Sequence, residues 1–286
     1  GLPQGEVPGA QEARVVNREA LILLLYHGVG AEEPGGEATN PHRAEYIVTE
    51  PRFEAHMSYL STGQASVCRL EDSFSPAGRA QGGGPSVVLT FDDGEASCYH
   101  TILPMLTRYR FRGEFFIVSR LIGTPGYLTA DQMKEMAERG HGIHSHSASH
   151  ARLPTLNRTQ IDDELKASKD TIEAITGRDV QFFSIPHGAY DARVLEAARR
   201  AGYRGVLNSV EGYNAMGAPP FVFKRFIMRS YISTDQLRAI CANPAATSCR
   251  LMATHVLLGT CKTLLAFGLY DTVRDRVVKR IAANHG

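Results

Sequence analysis

The chain has 286 residues, 43% of them hydrophobic and 21% charged, and a formal net charge of +1. That balance describes a globular protein with a sizeable core and gives no electrostatic case for binding nucleic acid or an anionic membrane. No apolar run approaches the roughly 18 to 20 residues that would cross a bilayer. Residues 1–17 are rich in Gly, Pro and Glu and read as a mobile tail. Ala20–Tyr26 is a continuous apolar run, predicted as a buried strand, and ends in His27-Gly28-Val29-Gly30. A long polar loop follows to residue 48, then a helix over Arg52–Leu60 and a glycine-rich linker over Ala77–Pro85. From Ser86 onward strands and helices alternate. Strands are predicted at Ser86–Phe91, Gly113–Val118, Gly142–Ser145, Phe182–Ile185 and Arg204–Asn208. Helices are predicted at Tyr99–Tyr109, Thr129–Arg139, Asn157–Thr176 and Ala192–Ala201, the last three stopped by Gly140, Gly177 and Gly202. Repeated strand–helix units with short connections imply a parallel sheet and favour an α/β barrel over residues 18–234. The segment 235–286 reads as a helical extension packed on it, with no chemistry of its own.

The unusual polar residues fall at strand ends. Val87–Phe91 runs straight into Asp92-Asp93-Gly94. Two adjacent carboxylates at the end of a buried strand are costly unless a cation neutralises one or a proton is shared. His146 and His150, four apart beyond the Gly142–Ser145 strand, can turn both rings to one cation. With one carboxylate they form a two-histidine, one-carboxylate set that suits zinc or another divalent metal and leaves positions open for water and substrate. The second aspartate would then take a proton from that water. Taken together these segments point to a metal-dependent hydrolase. Solvated loop histidines are the bland alternative, and the paired carboxylates argue against it.

The same residues resemble the first two motifs of the polysaccharide deacetylases with a NodB-like domain, carbohydrate esterase family 4. Those motifs are T-F-D-D-G, matched by Thr90–Gly94, and H-[ST]-x-x-H, matched by His146–His150. Gly113–Val118 is similar to the family's A-T-F-F strand, with Glu114 where a small residue is usual. The resemblance covers roughly residues 18–230. It implies a distorted (β/α) barrel, and hydrolysis of an N-acetyl or O-acetyl group on a carbohydrate. Asp92 would be the general base. Asp93, His146 and His150 would hold the metal, Zn2+ first, with Ni2+, Co2+ or Fe2+ as alternatives.

The third motif departs from the family's R-x-P-Y-G. Ser184-Ile185-Pro186-His187-Gly188 lacks the arginine and carries His for the aromatic residue. Pro186, His187 and Gly188 retain the backbone that supports an oxyanion. The arginine that orients the base must come from elsewhere, and Arg225 is the candidate, with Arg229 behind it. Leu24-Leu25-Tyr26-His27-Gly28-Val29 resembles the Y-H-x-[IV] opening of the branch with circularly permuted motifs, which acts on poly-N-acetylglucosamine and related exopolysaccharides. This resemblance would make His27 the general acid, against a barrel-end histidine hydrogen-bonded to backbone as the alternative. Asn214 also resembles that branch, whereas His255 is a poor match to the usual last motif. The implied partner is an acetylated amino-sugar polymer or oligomer.

Two other functions stay open: hydrolysis of small cyclic amides on the same fold, and a non-catalytic carbohydrate-binding relative. Met133 and Met136 read as core, Asp162-Asp163-Glu164 as charges favouring a helix start, and His144 as a rival of His146. None of the five cysteines has metal spacing; Cys241 and Cys249 flank a loop and could bridge, against reduced thiols as the alternative. No leader is visible at Gly1. An exopolysaccharide role implies the cell envelope or beyond, and reduced thiols the cytoplasm. The oligomeric state is not readable.

Overall fold

The computed structural model describes residues 19–30, 44–75, 84–217 and 219–248. The expected tail, most of the loop before Val48, most of the glycine-rich linker, and residues 249–286 with Cys249, His255 and Cys261 lie outside the described residues. The strands are β1 (Ala20–Tyr26), β2 (Gly28–Val29), β3 (Ile47–Val48), β4 (Ser66–Val67), β5 (Ser86–Phe91), β6 (Gly113–Ile117), β7 (Gly142–Ser145), β8 (Phe182–Ser184), β9 (Gly205–Leu207), β10 (Asn214–Ala215), β11 (Val222–Phe223) and β12 (Phe226–Ile227). The helices are α1 (Glu50–Leu60), α2 (Leu103–Arg108), α3 (Ala130–Glu138), α4 (Arg158–Thr176), α5 (Ala192–Arg200) and α6 (Thr234–Ala242).

The parallel run β1-β5-β6-β7-β8-β9-β11 forms the wall. Its ends meet through one short stretch of chain. β11 pairs with β9, Lys224 and Arg225 follow, and β12 pairs parallel with β1. The Asn214 side chain fastens this closure: its Oδ1 accepts from the Lys224 N–H at 2.9 Å, and its Nδ2 donates to the Lys224 carbonyl at 2.9 Å. The result is the α/β barrel that the alternating elements imply, nearly closed. Helices end where expected. Thr129 and Asn157 each close a capping box, with Gln132 and Gln160, and Gly177 ends α4 in the left-handed region. The helix expected over Tyr99–Tyr109 instead begins as a π-helical turn at Cys98–Ile102.

Alternation along the strands divides the core in two. Ile22, Leu24, Val87, Leu89, Phe115, Ile117 and Val206 pack with helix residues such as Met133, Met136, Ile161 and Val194. Leu21, Leu23, Val88, Phe116, Phe182, Leu207 and Phe223 form a second cluster without helix residues, which is the barrel interior. The period of two then aims the residues that end each interior row into the barrel mouth. They are His27 after Leu21 and Leu23, Asp92 after Val88 and Thr90, His146 after His144, Ser184 after Phe182, and Arg225 after Phe223. At the other end, Glu114 is buried and accepts from Arg69 Nε at 2.6 Å and from the Leu70 N–H at 2.9 Å. His144 Nε2 lies 3.0 Å from the same carboxylate, so it serves this network and is not a rival of His146. Gly142 is needed beside it, because a Cβ there would meet Glu114 Oε2 at 1.6 Å. Cys241 is a free, buried thiol.

His56 on α1 is fully buried, with Nδ1 3.1 Å from the Tyr26 hydroxyl and Nε2 3.1 Å from the Ile232 carbonyl. Burial lowers its pKa from 6.5 to about 4, the Ile232 hydrogen bond opposing and Arg52 adding to the shift. The unfolded chain therefore takes up a proton near pH 6.5 that the folded chain refuses until about pH 4. Its contribution is full above pH 6.5 and is lost as pH falls toward 4. At about 1.4 kcal/mol per pKa unit the loss is on the order of 3 kcal/mol. Urea denaturation at stepped pH should show this decline, and His56→Gln should flatten it; an equal slope in both proteins would contradict the assignment.

Candidate active site

Asp92 and Asp93 leave β5 in different conformations. Asp92 stays in register, its N–H donating to the Tyr26 carbonyl at 3.0 Å. Asp93 and Gly94 then take φ of 73° and 77°. That turn sends the two carboxylates to different partners, and only Gly tolerates the second position, where a Cβ would meet Ile117 Cδ1 at 3.0 Å. Among the described residues five non-glycines have left-handed φ, and four of them, Asp93, Ser147, His150 and His187, gather at this mouth. Such clustering marks a site whose geometry is held by its surroundings.

The Asp92 carboxylate is 2% exposed and fully engaged. Arg225, itself 0% exposed, donates from Nη1 to Oδ1 and from Nη2 to Oδ2, both at 2.9 Å. Ser184 Oγ donates to Oδ2 at 2.8 Å and accepts from Arg225 Nη2 at 2.9 Å. Arg225 Nε donates to the Asn208 carbonyl at 2.8 Å, which fixes the guanidinium plane. Burial pushes the Asp92 pKa up, but Arg225 and then His146 outweigh it and hold the carboxyl below its ordinary range.

Asp93 faces the two histidines. Its Oδ1 is 3.4 Å from His146 Nε2 and 3.5 Å from His150 Nε2. Against burial, His146, His27 and His150 hold its pKa down. His146 Nδ1 donates to the Ser184 carbonyl at 2.7 Å, which sets the tautomer and leaves the Nε2 lone pair toward Asp93. Ligand atoms of Asp93, His146 and His150 all lie within 4.8 Å of one another, a group that could hold a metal ion. Two imidazoles and a carboxylate match the donor chemistry of zinc and similar divalent cations.

His27 stands at the same mouth, its ring centroid 5.0 Å from that of Tyr46. Its Nδ1 is buried with no hydrogen-bond partner among the described residues. Burial lowers its pKa, while the Asp93 and Asp92 charges pull it back up. Pro186–Gly188 forms a tight turn after β8, with the exposed His187 ring 4.5 Å from that of His150. The structure thus brings all the expected residues to one end of the barrel. A cavity of about 440 Å³ opens at the opposite end, lined by Arg69, His141, His144 and Arg178 among others, and holds none of them.

Residues 79–206 match the family described as polysaccharide deacetylase. Over that segment the chain resembles the polysaccharide deacetylases. Among curated relatives it is 30% identical to YxkH of Bacillus subtilis (strain 168) over 185 residues, 64% of this chain and 62% of that protein. It is 34% identical to the peptidoglycan-N-acetylmuramic acid deacetylase PdaA of the same organism over 130 residues, 44% of this chain and 47% of that protein. The chain thus spans under two thirds of either relative. Its fold is that of the Streptococcus pyogenes deacetylase PplD, solved with acetate (TM-score 0.70, 23% identity, 77% of this chain and 97% of that one). It is also that of IcaB from Ammonifex degensii (TM-score 0.63, 19% identity, 77% and 96%).

Within this barrel, the departure in the third motif has a structural counterpart. Ser184 sits where the motif's arginine is usual, and Arg225 enters from the closing stretch between β11 and β12 to reach both Ser184 and Asp92. A surface position for Arg225 is ruled out by its burial. Ser184 itself was not expected in the site. The inward row Phe182–Ser184 is the signal that could have found it. Glu164 was also missed: it reaches the His146–His150 loop and does not act on its helix terminus alone.

Proposed function

We propose that this chain is a metal-dependent hydrolase that removes N-acetyl groups from an amino-sugar polymer or oligomer. The carrying observation is the split pair of aspartates: Asp93 grouped with His146 and His150, and Asp92 clamped by Arg225 a few ångströms away. Asp93, His146 and His150 would hold the cation, zinc in the first instance. Bound there, a divalent cation supplies Lewis acidity toward a carbonyl oxygen and makes water more acidic. Asp92 is the general base; Arg225 and Ser184 keep its carboxylate ionised and fixed in one plane. His27 is the general acid, its imidazole delivering a proton to the departing amine. Burial disfavours its cation, and the two aspartate charges beside it oppose that only in part. A backbone N–H near His187, in the turn Pro186–Gly188, would support the oxyanion charge that develops.

Acetate release decides the substrate class. The wild type should release acetate from N-acetylglucosamine oligomers, lose that activity on chelation and regain it with zinc. Hydrolysis of small cyclic amides with no acetate from the oligomers would keep the site and overturn the carbohydrate assignment. Sugar binding with neither reaction would support a non-catalytic relative.

A further inference from the structure

The loop that carries His146 and His150 is suspended from helix α4 by two polar side chains one turn apart. Glu164 is 7% exposed and Ser168 0% exposed, on a face otherwise made of Ile161, Leu165 and Ile172. Their i, i+4 spacing places them side by side toward the loop. Glu164 Oε2 accepts from the Ser149 N–H at 2.8 Å, and its Oε1 accepts from Ser149 Oγ at 2.7 Å. Ser168 Oγ accepts from Ser145 Oγ at 2.8 Å. Ser145 Oγ in turn accepts from the Ser147 N–H at 3.2 Å, and Ser147 Oγ from the His150 N–H at 3.0 Å. On the far side of the loop, Ser119 and Arg120 N–H groups donate to the Ser147 and Ala148 carbonyls.

Two left-handed residues, Ser147 at φ 63° and His150 at φ 61°, make this path unfavourable for a free chain. A buried carboxylate is also costly. Among the described residues its cationic neighbour is Arg120, at 3.9 Å and with an exposed side chain. Asp162 and Asp163, the two acids before it, point outward, and Asp162 pairs with Arg200. A glutamate that serves only a helix terminus would sit as they do.

We propose that Glu164 is a positioning residue for the metal centre, holding His150 in its ligating pose by fixing Ser149. This rests on the reading of Asp93, His146 and His150 as metal ligands. Partners hydrogen-bonded to a ligand itself typically alter metal affinity about 10- to 100-fold, and Glu164 acts one residue further back, through Ser149. The test is zinc affinity, measured by competition with a chromophoric chelator on full-length protein, without any activity assay. Glu164→Gln leaves one acceptor where there were two, and should weaken zinc binding by up to roughly tenfold, the low end of that range. Ser149→Ala removes the hydroxyl arm alone and should weaken it less; Ser149→Thr should restore it. The deciding comparison repeats Glu164→Gln in a His150→Ala background. If Glu164 acts through His150, its effect disappears there. Equal losses in both backgrounds, or a lower melting temperature with unchanged zinc affinity, would overturn the proposal and leave Glu164 as a stabilising residue. If Glu164→Gln does not fold, an undiminished zinc affinity in Ser149→Ala overturns it equally. A wild type that binds no zinc would overturn the metal reading itself, a result distinct from either.

Discussion

Arg225→Met should be among the most damaging single substitutions in this chain. The guanidinium is fully buried and supplies two of the three hydrogen bonds that Asp92 receives from Arg225 and Ser184. Its removal leaves a carboxylate enclosed with only Ser184 Oγ as donor. Breaking one side of a buried pair costs about 3–5 kcal/mol, because the remaining charge stays desolvated. The Asp92 pKa should rise, since Arg225 is the main force opposing burial there. The variant should therefore lose stability in urea and turnover together. Arg225→Lys should recover part of the stability and little of the turnover, because an ammonium cannot reproduce the paired geometry of Nη1 and Nη2. Adding Asp92→Asn to Arg225→Met should regain stability, as no charge is then stranded, yet stay inactive. A double variant no more stable than Arg225→Met would show that the pair is not coupled as described.

The second large effect separates the two aspartates. Asp92→Asn keeps the shape of the side chain and leaves Asp93, His146 and His150 in place. It should retain zinc while turnover falls about 10²- to 10⁴-fold, the range of a lost general base. Some stability is lost too, because Arg225 is left without its anion. Asp93→Ala should do the reverse in kind: zinc retention fails, and activity goes with it. The contrast is sharp because the residues are adjacent in sequence and differ by one left-handed φ. Retention of zinc by Asp93→Ala with loss in Asp92→Asn would exchange their roles.

Much of this architecture is visible in the amino-acid order. The strand Ser86–Phe91 and its two carboxylates, the helix caps at Thr129 and Asn157, and the glycine stops all depend on short-range rules, and the structure repeats them within a residue or two. The inward rows that aim Asp92 and His146 also follow from strict alternation. What escaped depends on long-range pairing. β10, β11 and β12 are two residues each, too short to show a period, and are strands only because β1 and β9 supply partners. Arg225 could be nominated from the gap in the third motif, but its approach to Asp92 spans 133 residues and requires barrel closure. Glu164 was hidden for a different reason. Three consecutive acids near a helix start look alike until burial shows that the third turns inward.

Zinc content after exhaustive dialysis tests the central claim most directly, measured on the wild type beside Asp93→Ala, with acetate release from N-acetylglucosamine oligomers followed on the same samples. The account predicts one equivalent of zinc and zinc-dependent acetate release in the wild type, and neither in the variant. A wild type that holds no zinc after reconstitution, or an Asp93→Ala protein that still releases acetate at the wild-type rate, would contradict it.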